Sequence, residues 1–366
     1  MAGLRVSPEV VGALRFQHAG VSHRSLSSPL YRVLLEVALD EIERGGPVAR
    51  VLAHVPEGLD PIPDAVALRF LGALHRLVLR GDAPALAAWF PTAGGTFDAE
   101  SDSDVAGVAA AFSAVVDEHA GALIEGLEVG VQTNEVGRCA TLAVGFADVL
   151  RAHRLPLRML ELGASAGLNL LWDRWRYESG TTSWGEPGAT LRFRSNYRAP
   201  EPDVSAPLGP ATAVAERRGC DRSPIDPTSA EGRPLLRSFV WPDQAERHAR
   251  LDAALAAAAE RPVHVDTGDA ATWLADRLAE PPSGTATVVY HSIVWQYLPE
   301  LTRQGVVASV EAAGRAATQD APLAWLRMEP GADPSTAAEL RLRTWPSGGD
   351  RLLALTGYHG HPVWAV

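Results

Sequence analysis

The stretch Leu157-Arg158-Met159-Leu160-Glu161-Leu162-Gly163-Ala164-Ser165-Ala166-Gly167-Leu168-Asn169-Leu170-Leu171-Trp172-Asp173-Arg174-Trp175-Arg176-Tyr177 decides how the chain is read. A short apolar run ends on Glu161-Leu162 and meets a turn of small residues from Gly163 to Gly167. Beyond it Leu168, Leu171, Trp172 and Trp175 fall at i, i+3, i+4 and i+7. That spacing puts four large apolar side chains on one helical face, so the stretch predicts strand, tight turn, helix. Gly163 and Gly167 would let backbone and ligand approach closely at such a turn. Two chemistries share the shape: a nucleotide-type pocket, or a Gly-x-Ser-x-Gly nucleophile elbow on Ser165.

Downstream, strands and helices alternate. Residues 178–215 are rich in Gly, Pro, Ser and Arg, with one strand-like piece at 189–193, and read as an inserted flap. After the apolar-leaning Thr212–Ala215, the stretch from Arg217 to Asp226 reads as the end of a second strand followed by a turn. Next come an amphipathic helix at 245–259, a strand at 262–265 leading to Asp266-Thr-Gly-Asp269-Ala270, and a helix at 271–278. A strand at 286–290 runs into His291-Ser292-Ile293-Val294-Trp295. It is followed by a helix at 301–316, a strand at 323–326 ending on Arg327-Met328-Glu329, and a terminal antiparallel hairpin from 340 to 364. Strands separated by helices imply an α/β, doubly wound, mostly parallel Rossmann-like sheet closed by that hairpin.

Upstream, residues 1–125 read as an α-helical domain, a cap, with apolar faces at 30–42, 65–79 and 105–119. His18 and His23 flank its first helix and read as exposed or capping side chains. Residues 126–366 form the expected second domain. Just before its first helix, at 140–150, Gln132, Thr133, Asn134, Glu135 and Arg138 supply more donors and acceptors than capping requires. Gln132, Asn134, Glu135 and Arg138 are therefore candidate substrate contacts.

Composition removes several classes. The chain has 366 residues, 46% hydrophobic and 21% charged, enough for two domains with real cores. A net charge of −11 argues against a nucleic-acid binder, which needs concentrated Lys and Arg. Cys139 and Cys220 are too few for a disulfide framework or a cysteine-rich metal site. His359-Gly-His361 lacks a third ligand nearby, and no metal is expected. With no signal-peptide layout at the start and no apolar run near the roughly 20 residues of a membrane span, a cytoplasmic protein with no membrane partner is expected.

The order of elements, with an acid and a Gly-x-x-x-Gly turn after the first strand, resembles the class I S-adenosylmethionine-dependent methyltransferase fold over about 157–366. Gln-Thr-Asn-Glu at 132–135, Leu-Glu-Leu-Gly-Ala-Ser-Ala-Gly-Leu-Asn-Leu at 160–170 and Val-Trp-Pro-Asp-Gln-Ala-Glu-Arg at 240–247 also resemble an actinobacterial family of unknown function. The methyltransferase resemblance implies S-adenosylmethionine as cofactor and a small-molecule substrate. It places Glu161, Gly163, Ala164, Ser165 and Gly167 along the cofactor. Asp221 would stand at the ribose, although the insertion lengthens its usual interval from the turn. Asp269 and Ala270 would stand at the adenine, and His291 and Ser292 near the methyl group. His291 is then the candidate base, histidine being the side chain most often used for proton transfer, and Asn169 and Trp295 join the substrate contacts.

Two other readings remain open from sequence. The fold could serve as a binding or regulatory module without catalysis. Alternatively, Ser165 could be an acyl-hydrolase nucleophile with Asp269 and His359 downstream, an order such enzymes use, although no strands are expected before the elbow.

Overall fold

Six consecutive buried residues, Leu157–Leu162, form the first strand, β1. Burial along the whole strand marks the middle of a parallel sheet covered on both faces. The computed structural model describes residues 5–22, 27–332, 337–346 and 348–366. His23 lies outside them. The chain divides into two units. One holds residues up to Thr133 together with Ser229–Ala249; the other holds Asn134–Thr228 and Arg250 to the C-terminus. The sequence boundary near 125 compares with Thr133, and the return of 229–249 to the first unit has no counterpart in the sequence reading.

The first unit is helical, with major helices at Pro8–Val21, Pro29–Arg44, Val66–Arg80 and Asp102–Glu118. Their starts follow local chemistry: Ser7, Ser28 and Ser101 accept hydrogen bonds from the first-turn N–H groups of Val10, Tyr31 and Asp104. Pro8 and Pro29 stand where no N–H is needed. Gly232–Ser238 packs on Val66–Arg80, where a Cβ on Gly72 would fall 2.8 Å from the Phe239 ring. His18 pairs with Glu36 at 3.1 Å.

The second unit carries the sheet. Its remaining strands are β2 (Arg176–Ser179), β3 (Thr182–Trp184), β4 (Arg192–Phe193), β5 (Tyr197–Arg198), β6 (Val214–Asp221), β7 (Val265–Thr267), β8 (Ala286–Ser292), β9 (Leu323–Pro330), β10 (Ala338–Trp345), β11 (Asp350–Thr356) and β12 (Val363–Ala365). The large sheet runs β5-β12-β11-β10-β9-β8-β1-β6-β7. From β7 to β9 every pairing is parallel, while β9 to β12 form an antiparallel meander. The chain leaves β1 toward β6 and β7 on one side and later returns to β8 on the other, so strand order reverses between β1 and β8. The second unit is thus α/β, with a mostly parallel Rossmann-like sheet.

Helices cover both faces. Cys139–His153 lies on one, with Gly145 against Leu326. Ala270–Leu278 and Glu300–Ala316 lie on the other, sharing a core with Leu160, Val289 and Trp325.

Three expectations are corrected. The predicted helix after Gly167 is a seven-residue 3-10 segment, Leu168–Arg174, after which the chain is extended at Trp175. Trp172 stacks on Trp184 at 4.5 Å and Tyr177 on Phe193 at 5.3 Å. The apolar spacing thus reflects an aromatic cluster, with no helical stripe. Residues 178–215 hold more strand than the one piece expected at 189–193: β3-β2-β4 make a small sheet, and β5 extends the edge of the large one beside β12. The strand expected at 262–265 is β7, shifted to Val265–Thr267.

Candidate functional site

In an open α/β sheet, ligands bind beyond the carboxyl ends of the strands where strand order reverses. Here that edge is built from the ends of β1, β6, β7 and β8. The turn Gly163–Gly167 is tied down from β6: Ala164 N–H donates to the Cys220 carbonyl at 3.0 Å, and Ser165 N–H donates to the Asp221 carboxylate at 2.9 Å. Asp221 also accepts the Ser223 N–H at 2.9 Å. Gly163 and Gly167 have φ of +67° and +72°, conformations glycine adopts without strain. Their near sides face the protein itself. A Cβ on Gly163 would lie 2.4 Å from Val294 Cγ2, and one on Gly167 would lie 2.7 Å from Val263 Cγ2.

Two residues without glycine's freedom share this backbone region. Ser165 has φ +54° and Ile293 φ +51°. A β-branched residue there is strained by roughly 1–3 kcal/mol, and such strain concentrates at functional edges. Ile293 directly follows β8 and donates its N–H to the Met328 carbonyl at 2.9 Å.

Asp269 caps the helix Ala270–Leu278. Its Oδ1 accepts from Ala271 and Thr272 N–H at 3.0 and 3.2 Å, and its Oδ2 accepts from the Thr302 hydroxyl at 2.7 Å. These bonds, the Thr302 hydroxyl foremost, hold its pKa below the ordinary carboxylate value. Ala270 is the buried first residue of that helix.

Glu161 is buried. Its carboxyl accepts from the Tyr290 hydroxyl at 3.1 Å, and burial raises its pKa to about 8 against the relief of Tyr290, Arg138 and Asn169. Asn169, also buried, accepts from the Cys139 thiol at 3.2 Å. Glu161 and Asn169 thus belong to the packing between the sheet and helix Cys139–His153. Phe146 of that helix meets the Tyr290 ring edge-on at 5.1 Å.

The polar stretch at 132–138 serves several masters. Asn134 accepts the Leu168 N–H at 2.9 Å and so caps the 3-10 segment after the glycine turn. Glu135 accepts the Gly137 N–H at 2.9 Å. Arg138 donates to the carbonyls of Ser292 and Tyr358 at 2.9 and 3.1 Å, joining the end of β8 to the loop before β12. Gln132 lies in the first unit.

The most developed constellation lies past β8. His291, 1% exposed, places Nδ1 2.5 Å from Glu329 Oε1. A carboxylate only accepts, so Nδ1 carries a proton, and in the neutral ring Nε2 then presents its lone pair. The same carboxylate accepts the N–H groups of Val294 and Trp295 at 3.2 and 3.3 Å, which fixes the loop and the ring together. The Trp295 indole stacks on His291 at 5.0 Å and 16°. His291, Trp295, Trp325, Arg327 and Glu329 line a cavity of about 200 Å³. Trp325, Arg327 and Glu329 escaped the sequence reading. Their spacing of two, which puts all three on one face of β9, was the signal available.

Asp269 and His359 are not brought together. β7 and β11, which they follow, are six strand intervals apart, roughly 29 Å at about 4.8 Å each. Among the described residues no group of three His, Cys, Asp or Glu is placed to hold a metal, and no single helix is long and apolar enough to cross a membrane.

No curated protein and no solved structure matches the chain. One family model, described as "Uncharacterized protein conserved in bacteria (DUF2332)", matches residues 13–365. The chain therefore belongs to that bacterial family.

Proposed function

We propose that the second unit is an S-adenosylmethionine-dependent methyltransferase acting on a small molecule. The observation that carries the reading is the reversal of strand order between β1 and β8, with the glycine turn and two acids on its carboxyl edge. Asp221 and Asp269 suit a nucleoside. A carboxylate offers about four acceptor positions, and the described bonds use two on Asp221 and three on Asp269, so each can still receive a ligand hydroxyl or amino group. The bound cofactor would supply an electrophilic methyl group on a sulfonium. The chain's part is to exclude water, orient the acceptor and hold its proton at His291 Nε2, with Glu329 as the positioning residue.

A second reading, a binding module without catalysis, is favoured by Val294 packed on Gly163 and by the 3-10 segment that replaces a full helix after the turn.

Calorimetric titration with S-adenosylmethionine and S-adenosylhomocysteine tests both. Heat from either ligand, weakened by Asp269→Ala and by Asp221→Asn, is the expected result. Folded protein that gives no heat with either would end the cofactor assignment. Binding without methyl transfer to any tested acceptor favours the module.

A further inference from the structure

Buried polar side-chain atoms almost always have hydrogen-bond partners, because leaving one unmade is costly. Three residues that line a cavity at the ends of β8 and β9 each carry a buried side-chain atom without one: His291 Nε2, Trp325 Nε1 and Arg327 Nε. They sit on one sheet face, since His291 is in register with Arg327 and Trp325 lies two residues before it. Their chemistry is mixed. Glu329 accepts the hydrogen bond from His291 Nδ1, so in the neutral ring Nε2 is an acceptor; the indole and guanidinium nitrogens are donors.

The walls are flat and aromatic. Trp295 lies 6.0 Å from Trp325, and the Arg327 guanidinium lies over the Trp325 ring at 4.6 Å. The cavity's charged side chains are engaged: Arg327 pairs with Asp350 at 2.6 Å, Arg341 with Glu339 at 2.9 Å, and Glu329 with His291 Nδ1 at 2.5 Å. Size narrows the occupant further. A cavity of about 150 Å³ accepts benzene, whereas sites for larger ligands start near about 300 Å³. At about 200 Å³ this one suits a single substituted ring and is too small for a nucleoside cofactor.

We infer that this cavity binds a single-ring aromatic ligand bearing one hydroxyl or amino donor, directed at His291 Nε2, and one carboxylate or carbonyl oxygen, directed at Trp325 Nε1 and Arg327 Nε. The assignment rests on the methyltransferase reading only in making this ligand the methyl acceptor; the binding stands on the cavity.

Ortho-, meta- and para-hydroxybenzoate, with benzoate and phenol as controls, are the probes, followed by calorimetry and indole fluorescence. At least one hydroxybenzoate isomer should bind more tightly than both controls. Trp325→Phe, which removes the Nε1 donor together with the pyrrole ring of the indole, should weaken that isomer at least about tenfold, the loss of one good hydrogen bond. His291→Phe should weaken the isomer but leave benzoate unchanged, because benzoate has no donor for Nε2. No binding of any isomer to the wild-type protein, or an isomer no tighter than benzoate and phenol, overturns the assignment. Equal losses for isomer and benzoate in His291→Phe would overturn it as well. The cofactor titration on the same sample separates the two readings: ring binding without cofactor heat retains the pocket and removes methyl transfer, and the converse removes the pocket alone.

Discussion

Glu161 is in register with Tyr290 of β8, and His291, the next residue along that strand, turns its ring to the opposite face of the sheet. Glu161 is enclosed with Tyr290 and Asn169 beneath helix Cys139–His153. His291 faces Trp325, Trp295 and Glu329. Two residues grouped by the sequence at one strand edge therefore do different work, the first in a closed core and the second at a cavity wall.

Glu161 should make stability fall with rising pH. The folded state keeps its proton up to about pH 8, while the unfolded chain releases it near pH 4.5. Between those values folding takes up a proton, so the contribution is complete below about 4.5 and lost as pH approaches about 8. Urea titrations across this range should show the decline, and Glu161→Gln should flatten it. An unchanged slope in the variant would assign the effect to another group.

His75 in the helical unit should act in the opposite sense. Its ring is buried between the Ser238 carbonyl at 3.2 Å and the Thr92 hydroxyl at 2.8 Å. Burial, reinforced by His248, lowers its pKa from 6.5 to about 3. The unfolded chain takes up the proton first, so stability should drop as pH falls from about 6.5 toward about 3. Acid denaturation followed by circular dichroism should begin at lower pH in His75→Gln if the side chain's bonds are kept.

Gly163→Ala combines two penalties that can be measured apart. The left-handed backbone costs an alanine about 1–2 kcal/mol, and the Cβ placed 2.4 Å from Val294 Cγ2 adds about 1–3 kcal/mol of overpacking. In a Val294→Ala background the clash with the two Cγ atoms is gone and only the 3.0 Å approach of the Val294 Cβ adds to the first part. A double-mutant cycle with full additivity would show that Val294 does not press on the turn.

Glu329→Gln should release the His291 tautomer, because an amide can donate as well as accept. Nitrogen-15 spectra of the imidazole should show the proton on Nδ1 in the native protein and a mixed population in the variant. If methyl transfer is the activity, turnover should fall about a hundredfold or more with cofactor affinity unaltered. Loss of cofactor affinity instead would place Glu329 in binding.

What the sequence determined by itself was local. Glycine at 163 and 167, a buried apolar run before them and alternating patterns after them established the β1 turn, the succession of strands and helices, and the closing antiparallel strands. These follow from backbone sterics and from the periods of helix and strand, which a single chain segment carries. The tertiary structure decided whatever depends on partners distant in the chain. Leu168, Leu171, Trp172 and Trp175 carry a helical spacing, but they stay out of an α-helix because Trp184 stacked on Trp172 and Phe193 stacked on Tyr177 hold the segment in another form. Asn134 meets Leu168, Arg138 meets Ser292, and Glu329 meets His291 across intervals of 34, 154 and 38 residues. Strand order and register create those meetings, because pairing β8 with β9 aligns His291 with Arg327 and brings Trp325 and Glu329 onto its face. Periodicity alone cannot supply that alignment, since it says which face a residue takes but not which strand lies beside it.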